Sequence, residues 1–158
     1  MATITAALTV NSDITDYGLA IDNTMTMSKA GATTGLNRTS GLQRKYMTST
    51  NHIDLIQGAA GVVTDMTLAA SAKIYIKYIE SDTSKYVTVG FGTASGGSTF
   101  QANDSTPTPT FELGRLYGDE WMIIPWSGTS ATGDITVQPS VATAADKAIV
   151  EYIVFFED

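Results

Sequence analysis

The chain has 158 residues, a formal net charge of −7 at pH 7 and a pI of about 4.5. Binding of phosphate groups requires a basic surface, so this acidity argues against a nucleic-acid partner. The sequence contains no cysteine, which excludes disulfide bonds and zinc–thiolate sites. It also has no apolar run of about 18 residues, so we expect no contact with a membrane.

The composition favours an all-β fold in a single domain. Apolar residues make up 43% of the chain and charged residues only 16%, below the roughly 25% of typical domains. Threonine, serine and glycine are abundant, as in proteins built from pleated strands and tight turns. The length fits one domain spanning residues 1–158, and the first ten residues lack the basic start and long apolar core of an export signal.

The first part of the chain alternates between strand-like and turn-like segments. TITAALTV (3–10) and LAIDNTMTM (19–27) predict two strands, separated by the turn-forming cluster NSDITDYG. Residues 28–47 are rich in Gly, Ser and Thr and lack a strand pattern, so we predict a loop or an extended arm. HIDLI (52–56) predicts a short strand, and residues 63–72 predict either one helical turn or a loop.

The clearest pattern is AKIYIKYIESDTSKYVTVGFG, residues 72–92. Ile74, Ile76 and Tyr78 fall on one face of the first run, because successive side chains of a strand point to opposite sides. ESDTSK supplies a polar turn, and the second run again alternates, with its valines on one face. Two alternating runs around a short turn predict an antiparallel hairpin.

Four more strands are predicted in the C-terminal half, after a Gly- and Pro-rich stretch at 92–110. They are TFELGRL, EWMIIPW, DITVQPS and AIVEYIVFFE. In the last of these, Val150 and Val154 share one face, and Ile153 and Phe155 share the other. A strand that is apolar on both faces lies in the centre of a covered sheet or at an interface between subunits. Ile153 and Phe155 are therefore candidates for subunit packing.

These segments predict eight to nine short strands without alternating helices, which excludes βαβ folds. The expected fold is an antiparallel β-sandwich, jelly-roll-like, with an N-terminal arm or long loop formed by residues 28–47.

Residues that could support catalysis or bind a metal are scarce. His52 is the only histidine, and with Asp54 alone it lacks the further partners that a metal site or a catalytic base requires. GFGTASGG (90–97) lacks the third glycine of a dinucleotide-binding loop, and no helical pattern follows it. We therefore expect no catalytic residue, no metal and no cofactor, and a protein that is not an enzyme.

The aromatic residues Tyr117, Trp121 and Trp126 have two interpretations. Flat rings at the ends of strands can stack against sugars, which would suit a carbohydrate-binding β-sandwich. Tyrosine and tryptophan also fill cores and their margins, and WMIIPW has the pattern of a buried strand.

Positive charge is concentrated in the segment predicted to be an arm. Lys29, Arg38, Arg44 and Lys45 account for four of the nine lysine and arginine residues. They could form an ordinary solvated loop, or they could dock the arm on an acidic protein surface. We treat these four residues as candidate partner contacts.

Three segments together give the chain a family resemblance: IYIKYIESDTSKYVTVG, GRLYGDEWMIIPW and the closing strand AIVEYIVFFE. In this layout the small, acidic, Thr- and Gly-rich chain resembles virion structural proteins of tailed bacteriophages, in particular capsid decoration (cement) proteins.

The resemblance implies a non-enzymatic role on the outer surface of a capsid, after synthesis in the host cytoplasm. The implied partners are the shell of major capsid protein, whose neighbouring subunits the protein would clamp, and further copies of the chain in a homotrimer. The alternative is a carbohydrate-binding β-sandwich of a fibre or lectin.

Overall fold

The computed structural model describes residues 4–12, 19–27, 36, 38–56, 72–92, 111–127 and 134–156. No helix in this part of the chain is long and apolar enough to cross a membrane. The predictions for residues 63–71 and 93–110 lie outside the described residues.

The described strands are β1 (Ile4–Ser12), β2 (Leu19–Met27), β3 (Arg38–Thr39), β4 (Gln43–Met47), β5 (Ile53–Ile56), β6 (Ala72–Ile79), β7 (Tyr86–Phe91), β8 (Phe111–Tyr117), β9 (Trp121–Trp126), β10 (Ile135–Pro139) and β11 (Ala148–Phe156).

Nine of these strands form two antiparallel sheets. In the first sheet, β3 and β4 lie end to end along one edge of β11, and β6 and β9 follow on its other side. The second sheet has the order β5–β10–β7–β8. Strands β1 and β2 pair only with each other, as a hairpin outside both sheets. The predicted antiparallel β-sandwich is therefore confirmed.

The order of pairing is that of a jelly roll. Strands pair from the outside of the sequence inwards: β4 with β11, β5 with β10, β6 with β9, and β7 with β8. Successive pairs alternate between the two sheets, and the contacts β6–β11 and β7–β10 join them laterally. This is the arrangement of one long hairpin rolled up on itself, with β3 and β4, β9, β5 and β8 as the edge strands.

The core lies between the two sheets. Ile74, Ile76 and Tyr78 of β6 are fully buried, as are Val87 and Val89 of β7. The alternation in the sequence thus predicts the buried face of β6 correctly, whereas in β7 Thr88 on the opposite face is buried as well. The remaining buried side chains of the core are Met47, Leu55, Ile56, Ala72, Leu116, Trp126, Ile135, Val137, Ala142, Ala148, Val150, Val154 and Phe156.

The predicted hairpin at residues 72–92 is wrong, although both of its strands exist. β6 pairs with β11 and β9, whereas β7 pairs with β10 and β8, so the turn between them crosses from one sheet to the other. The apolar faces of β6 and β7 pack against the common core instead of lying side by side. Alternation determines which face is buried, but it carries no information about which strand is the neighbour.

The loop predicted at residues 28–47 is also corrected where the structure describes it. Residues 38–39 and 43–47 are the strands β3 and β4 on the edge of β11, while residues 28–35 and 37 lie outside the described residues. Between the two strands, Ser40 is bonded to β11 as well: its N–H donates to the carbonyl of Val154 at 2.9 Å, and its Oγ accepts from the N–H of Val154 at 2.9 Å. Gly41, with φ of 70°, makes the break that conceals the strand pattern.

A tight turn at Gly118 and Asp119 connects β8 in the second sheet to β9 in the first. Asp119 adopts φ of 66°, and the N–H of Glu120 donates to the carbonyl of Tyr117 at 2.9 Å. A Cβ atom on Gly118 would lie 2.7 Å from the carbonyl oxygen of Glu80. The turn therefore fits against the β6–β7 connection only because residue 118 has no side chain.

We predict that Gly118→Ala lowers the free energy of unfolding by about 2 kcal/mol, because two backbone segments would have to separate. Urea unfolding followed by circular dichroism measures the effect. Gly114→Ala is the matched control, since a Cβ atom on Gly114 would have no neighbour within 4 Å and we expect a change of less than about 0.5 kcal/mol. Equal stability of the two variants would contradict the close packing at Gly118.

Candidate functional site

The outer face of the first sheet, which points away from the core, carries a band of apolar side chains. The strand register places Ile153, Tyr75 and Ile123 directly opposite one another on β11, β6 and β9. Phe155 lies one row further along β11, and all four side chains are partly buried. Both predicted subunit-packing residues, Ile153 and Phe155, are therefore on this face.

The start of the N-terminal hairpin lies over this band and encloses a cleft of about 290 Å³. On its rim, the rings of Tyr75 and Trp121 are 6.1 Å apart at an angle of 36°. The hairpin thus covers part of the apolar band and leaves the rest accessible at the rim. Residues lining the cleft are Ile4, Thr5, Ala6, Ala7, Tyr75, Trp121, Ile123, Ile153 and Phe155.

A row of paired charges borders the apolar band on the same face. Arg44 contacts Glu151 with an Nη2–Oε1 distance of 2.5 Å, and the Glu151 side chain is only 12% exposed. This hydrogen-bonded carboxylate raises the pKa of Arg44. In the same row, Lys77 pairs with Asp119 at 3.1 Å, and this contact raises the pKa of Lys77. Both positive charges are therefore neutralised locally.

Beside this row, the edge strand β4 presents three exposed side chains on one face: Leu42, just before the strand, Arg44 and Tyr46. We call this group the β4 stripe. In the described part of the chain, β4 pairs with β11 on one side only. Its other backbone edge and the β4 stripe together form an open surface.

The four basic residues predicted to contact a partner do not form a patch in the described part of the chain. Lys29 lies outside the described residues, and Arg38 is the first residue of β3. Arg44 is ion-paired, whereas Lys45 alternates to the other face of β4, opposite Val150, and is half-buried. At positions 38, 44 and 45, the predicted loop or arm is therefore replaced by the edge strands β3 and β4.

The three candidate sugar-stacking rings lie in three separate places. Trp126 is buried in the core, which corrects its proposed role in binding. Tyr117 lies on the outer face of the second sheet, with its ring 5.5 Å from that of Tyr86. Trp121 alone lies at the cleft, so the three rings cannot act as one platform.

The only histidine is not part of a candidate metal site. His52 is 3% exposed and precedes β5, and Asp54 is half-buried within that strand. Within the described ranges, no group of three or more His, Cys, Asp or Glu residues could hold a metal ion.

The exposed apolar face of the N-terminal hairpin was not predicted from the sequence. Leu8 and Val10 of β1 and Ile21 and Met25 of β2 lie on one face and are all exposed. The opposite face carries mainly threonine, together with Asp22. Period-two counting on LTV and LAIDNTM could have revealed this face, but the alanines at positions 6 and 7 obscure the alternation.

No protein-family model matches the chain, and no curated protein matches it. Among solved structures, the chain is similar to the crystal structure of the Yersinia pseudotuberculosis-derived mitogen YPM. The two share 9% sequence identity over 77% of this chain and 87% of that chain, with a TM-score of 0.36. A similarity of this degree supports no statement about function.

The placement of the two tryptophans gives a direct prediction for stability. Trp126 is 6% exposed, so Trp126→Ala should lower the free energy of unfolding by about 3 kcal/mol or more. Trp121 is 47% exposed, so Trp121→Ala should lower it by less than about 1 kcal/mol. Thermal and urea unfolding of the two variants measure the difference. A larger loss of stability for Trp121→Ala than for Trp126→Ala would contradict the burial of Trp126 in the core.

Proposed function

We propose that the protein is a non-enzymatic virion structural protein that decorates the outer capsid surface and clamps neighbouring subunits of the shell. The observation that carries the proposal is the β4 stripe on an open sheet edge. The resemblance to capsid decoration proteins supplies the identity of the partner, the major capsid protein. A homotrimeric state belongs to the same proposal.

The chemistry of the β4 stripe supports binding to a protein. Tyrosine and arginine are enriched in the side chains that contribute most to protein interfaces, and Leu42 adds apolar area beside them. An open strand edge can also accept a strand from a partner through backbone hydrogen bonds. A homotrimer presents three such edges, one from each chain, and can therefore link several shell subunits.

The ion pair changes the expected nature of the contact. Because Glu151 already neutralises Arg44, apolar contact through Leu42 and Tyr46 contributes more than attraction to an acidic shell. Removing Arg44 would also leave the largely buried Glu151 carboxylate unpaired. A variant without Arg44 would therefore lose stability as well as affinity for the shell, and the two effects would not be separated. Leu42 and Tyr46 are therefore the better positions for a test.

We predict that the double variant Leu42→Ser/Tyr46→Ser binds capsid shells at least tenfold more weakly, because two interface anchors are lost. The measurement is co-sedimentation with purified shells that lack the protein, followed by densitometry. Phe111→Ser/Leu113→Ser is the matched control on the second sheet. Its side chains are 58% and 46% exposed, against 58% and 54% for Leu42 and Tyr46.

The control pair should bind shells as the unmodified protein does. The assignment of the β4 stripe is wrong if both double variants bind equally well. The decoration role itself is wrong if the unmodified protein fails to sediment with the shells of the virus that encodes it.

A second candidate function is carbohydrate binding, which one observation favours: Trp121 is exposed beside Tyr75 on the rim of the cleft. Sugar rings stack on such exposed indoles, and Trp121→Ala should then abolish binding while the fold persists. A glycan array probed with the unmodified protein and with Trp121→Ala measures this. An array on which the unmodified protein binds nothing rejects this candidate.

A further inference from the structure

The direction of the backbone hydrogen bonds of β11 shows which groups of β4 face outward. The N–H and the carbonyl of Val154 both bond to Ser40, on the side of the edge strands. Backbone direction alternates along a strand, so Val150 points to the same side, where it lies opposite Lys45. Lys45 therefore directs its own N–H and carbonyl to β11, and the residues before and after it direct theirs away from the sheet.

Arg44 and Tyr46 thus present two N–H groups and two carbonyls along the open edge of β4. In the ranges that the structure describes, none of these four groups has a backbone partner. The two residues are spaced by about 7 Å, which is the repeat of an extended chain. A second strand offers donors and acceptors at the same spacing, so the edge is complementary to an extended peptide segment.

The other edges of the two sheets are less suited to accept a strand. Strand β9 contains Pro125, which has no N–H to donate. Strand β8 has a register shift against β7, and β5 has only four residues and a register shift against β10. In contrast, all five residues of β4 pair with β11 in one unbroken register, and β4 contains no proline.

Lys45 indicates which kind of strand binds. Its side chain is half-buried on the inner side of β4, and within the described ranges it has no ion-pair partner. Like charges directly opposite each other destabilise a pair of strands, whereas opposite charges stabilise it. An inward-pointing lysine on an edge therefore rejects an identical edge and favours a strand with a carboxylate opposite it.

A second copy of β4 does not fit this edge. Two identical antiparallel strands pair about a two-fold axis, and the only axis that overlaps all five residues lies at residue 45. This axis places Lys45 directly opposite Lys45 of the other copy. An axis at residue 44 or 46 leaves three overlapping residues in each strand. The occupant is therefore a segment of a different chain.

We propose that a subunit of the capsid shell adds one extended segment to this edge, as a strand beside β4 with a carboxylate opposite Lys45. The added strand bonds to the backbone of Arg44 and Tyr46, and its side chains on the outer face contact the β4 stripe. This inference rests on the decoration role proposed above and specifies how the shell is held.

Proline at position 46 tests the backbone contact, with Tyr46→Ala as the matched control. Both variants lose the phenol ring, but only Tyr46→Pro also loses the outward N–H, and an edge strand tolerates such a proline. In the co-sedimentation assay, Tyr46→Pro should bind shells at least about fivefold more weakly than Tyr46→Ala, because a carbonyl of the added strand loses its donor. Equal binding of the two variants overturns the added strand.

Lys45→Pro tests the direction of the N–H groups without any shell. This substitution removes a bond to β11, so its Tm should lie about 5 °C or more below that of Tyr46→Pro. If Tyr46→Pro melts as low as Lys45→Pro, the N–H of residue 46 faces β11 and the proposal is overturned.

The carboxylate is tested by comparing Lys45→Glu with Lys45→Gln. Lys45→Glu should bind shells about threefold or more weakly than Lys45→Gln, because it places two carboxylates opposite each other. Equal binding contradicts a carboxylate at this position of the added strand.

Hydrogen exchange of the unmodified protein examines the edge without a substitution. The amides of Arg44 and Tyr46 should exchange rapidly in the free protein and at least about tenfold more slowly on shells. Protection in the free protein, or no change on shells, overturns the proposal. These results differ from failure of the decoration role itself, in which the unmodified protein does not sediment with shells and the inference falls with it.

Discussion

The pairing of β6 with β11 is the interaction on which the rest of the structure depends. The two strands are joined along eight residue pairs, from Ile149 opposite Ile79 to Phe156 opposite Ala72. The inner face of the pair is apolar throughout, and the outer face combines apolar residues such as Tyr75 and Ile153 with the charged Lys77 and Glu151. The second sheet covers the inner face and forms the core, while the N-terminal hairpin covers part of the outer face. The remaining strands of the first sheet attach to the two edges of this pair.

The same outer face presents two different surfaces, the β4 stripe and the cleft. Glu151 and Lys77 lie between Arg44 of the stripe and Trp121 of the cleft, and they are ion-paired with Arg44 and Asp119 respectively. Paired charges are costly to desolvate, so an apolar partner bound at one surface gains little by spreading across this row to the other. Along this row, the two surfaces are therefore chemically separate.

The sequence predicts faces better than neighbours. Period-two alternation assigns Val150 and Val154 to the core and Ile153 and Phe155 to the outer face, as the structure shows. Strand partners are not encoded locally, since the contact between Arg44 and Glu151 joins residues 107 positions apart. Strands β3 and β4 are held by backbone hydrogen bonds to β11, which do not require an alternating apolar pattern. Their segment therefore contains polar residues and Gly41, and its sequence does not predict a strand. The two tryptophans are five residues apart in one strand, and this odd spacing already requires opposite faces.

The nested order of strand pairing has a consequence for the timing of folding. Contacts between distant residues form slowly, because a long loop must close before any of them stabilises the chain. The hairpin of β1 and β2 is local, so both of its strands are synthesised early and close only a short loop. The cleft needs Ile153 and Phe155 of the last strand, and it is therefore among the last surfaces to exist. The strands of the hairpin are thus synthesised well before the face on which the hairpin packs is complete.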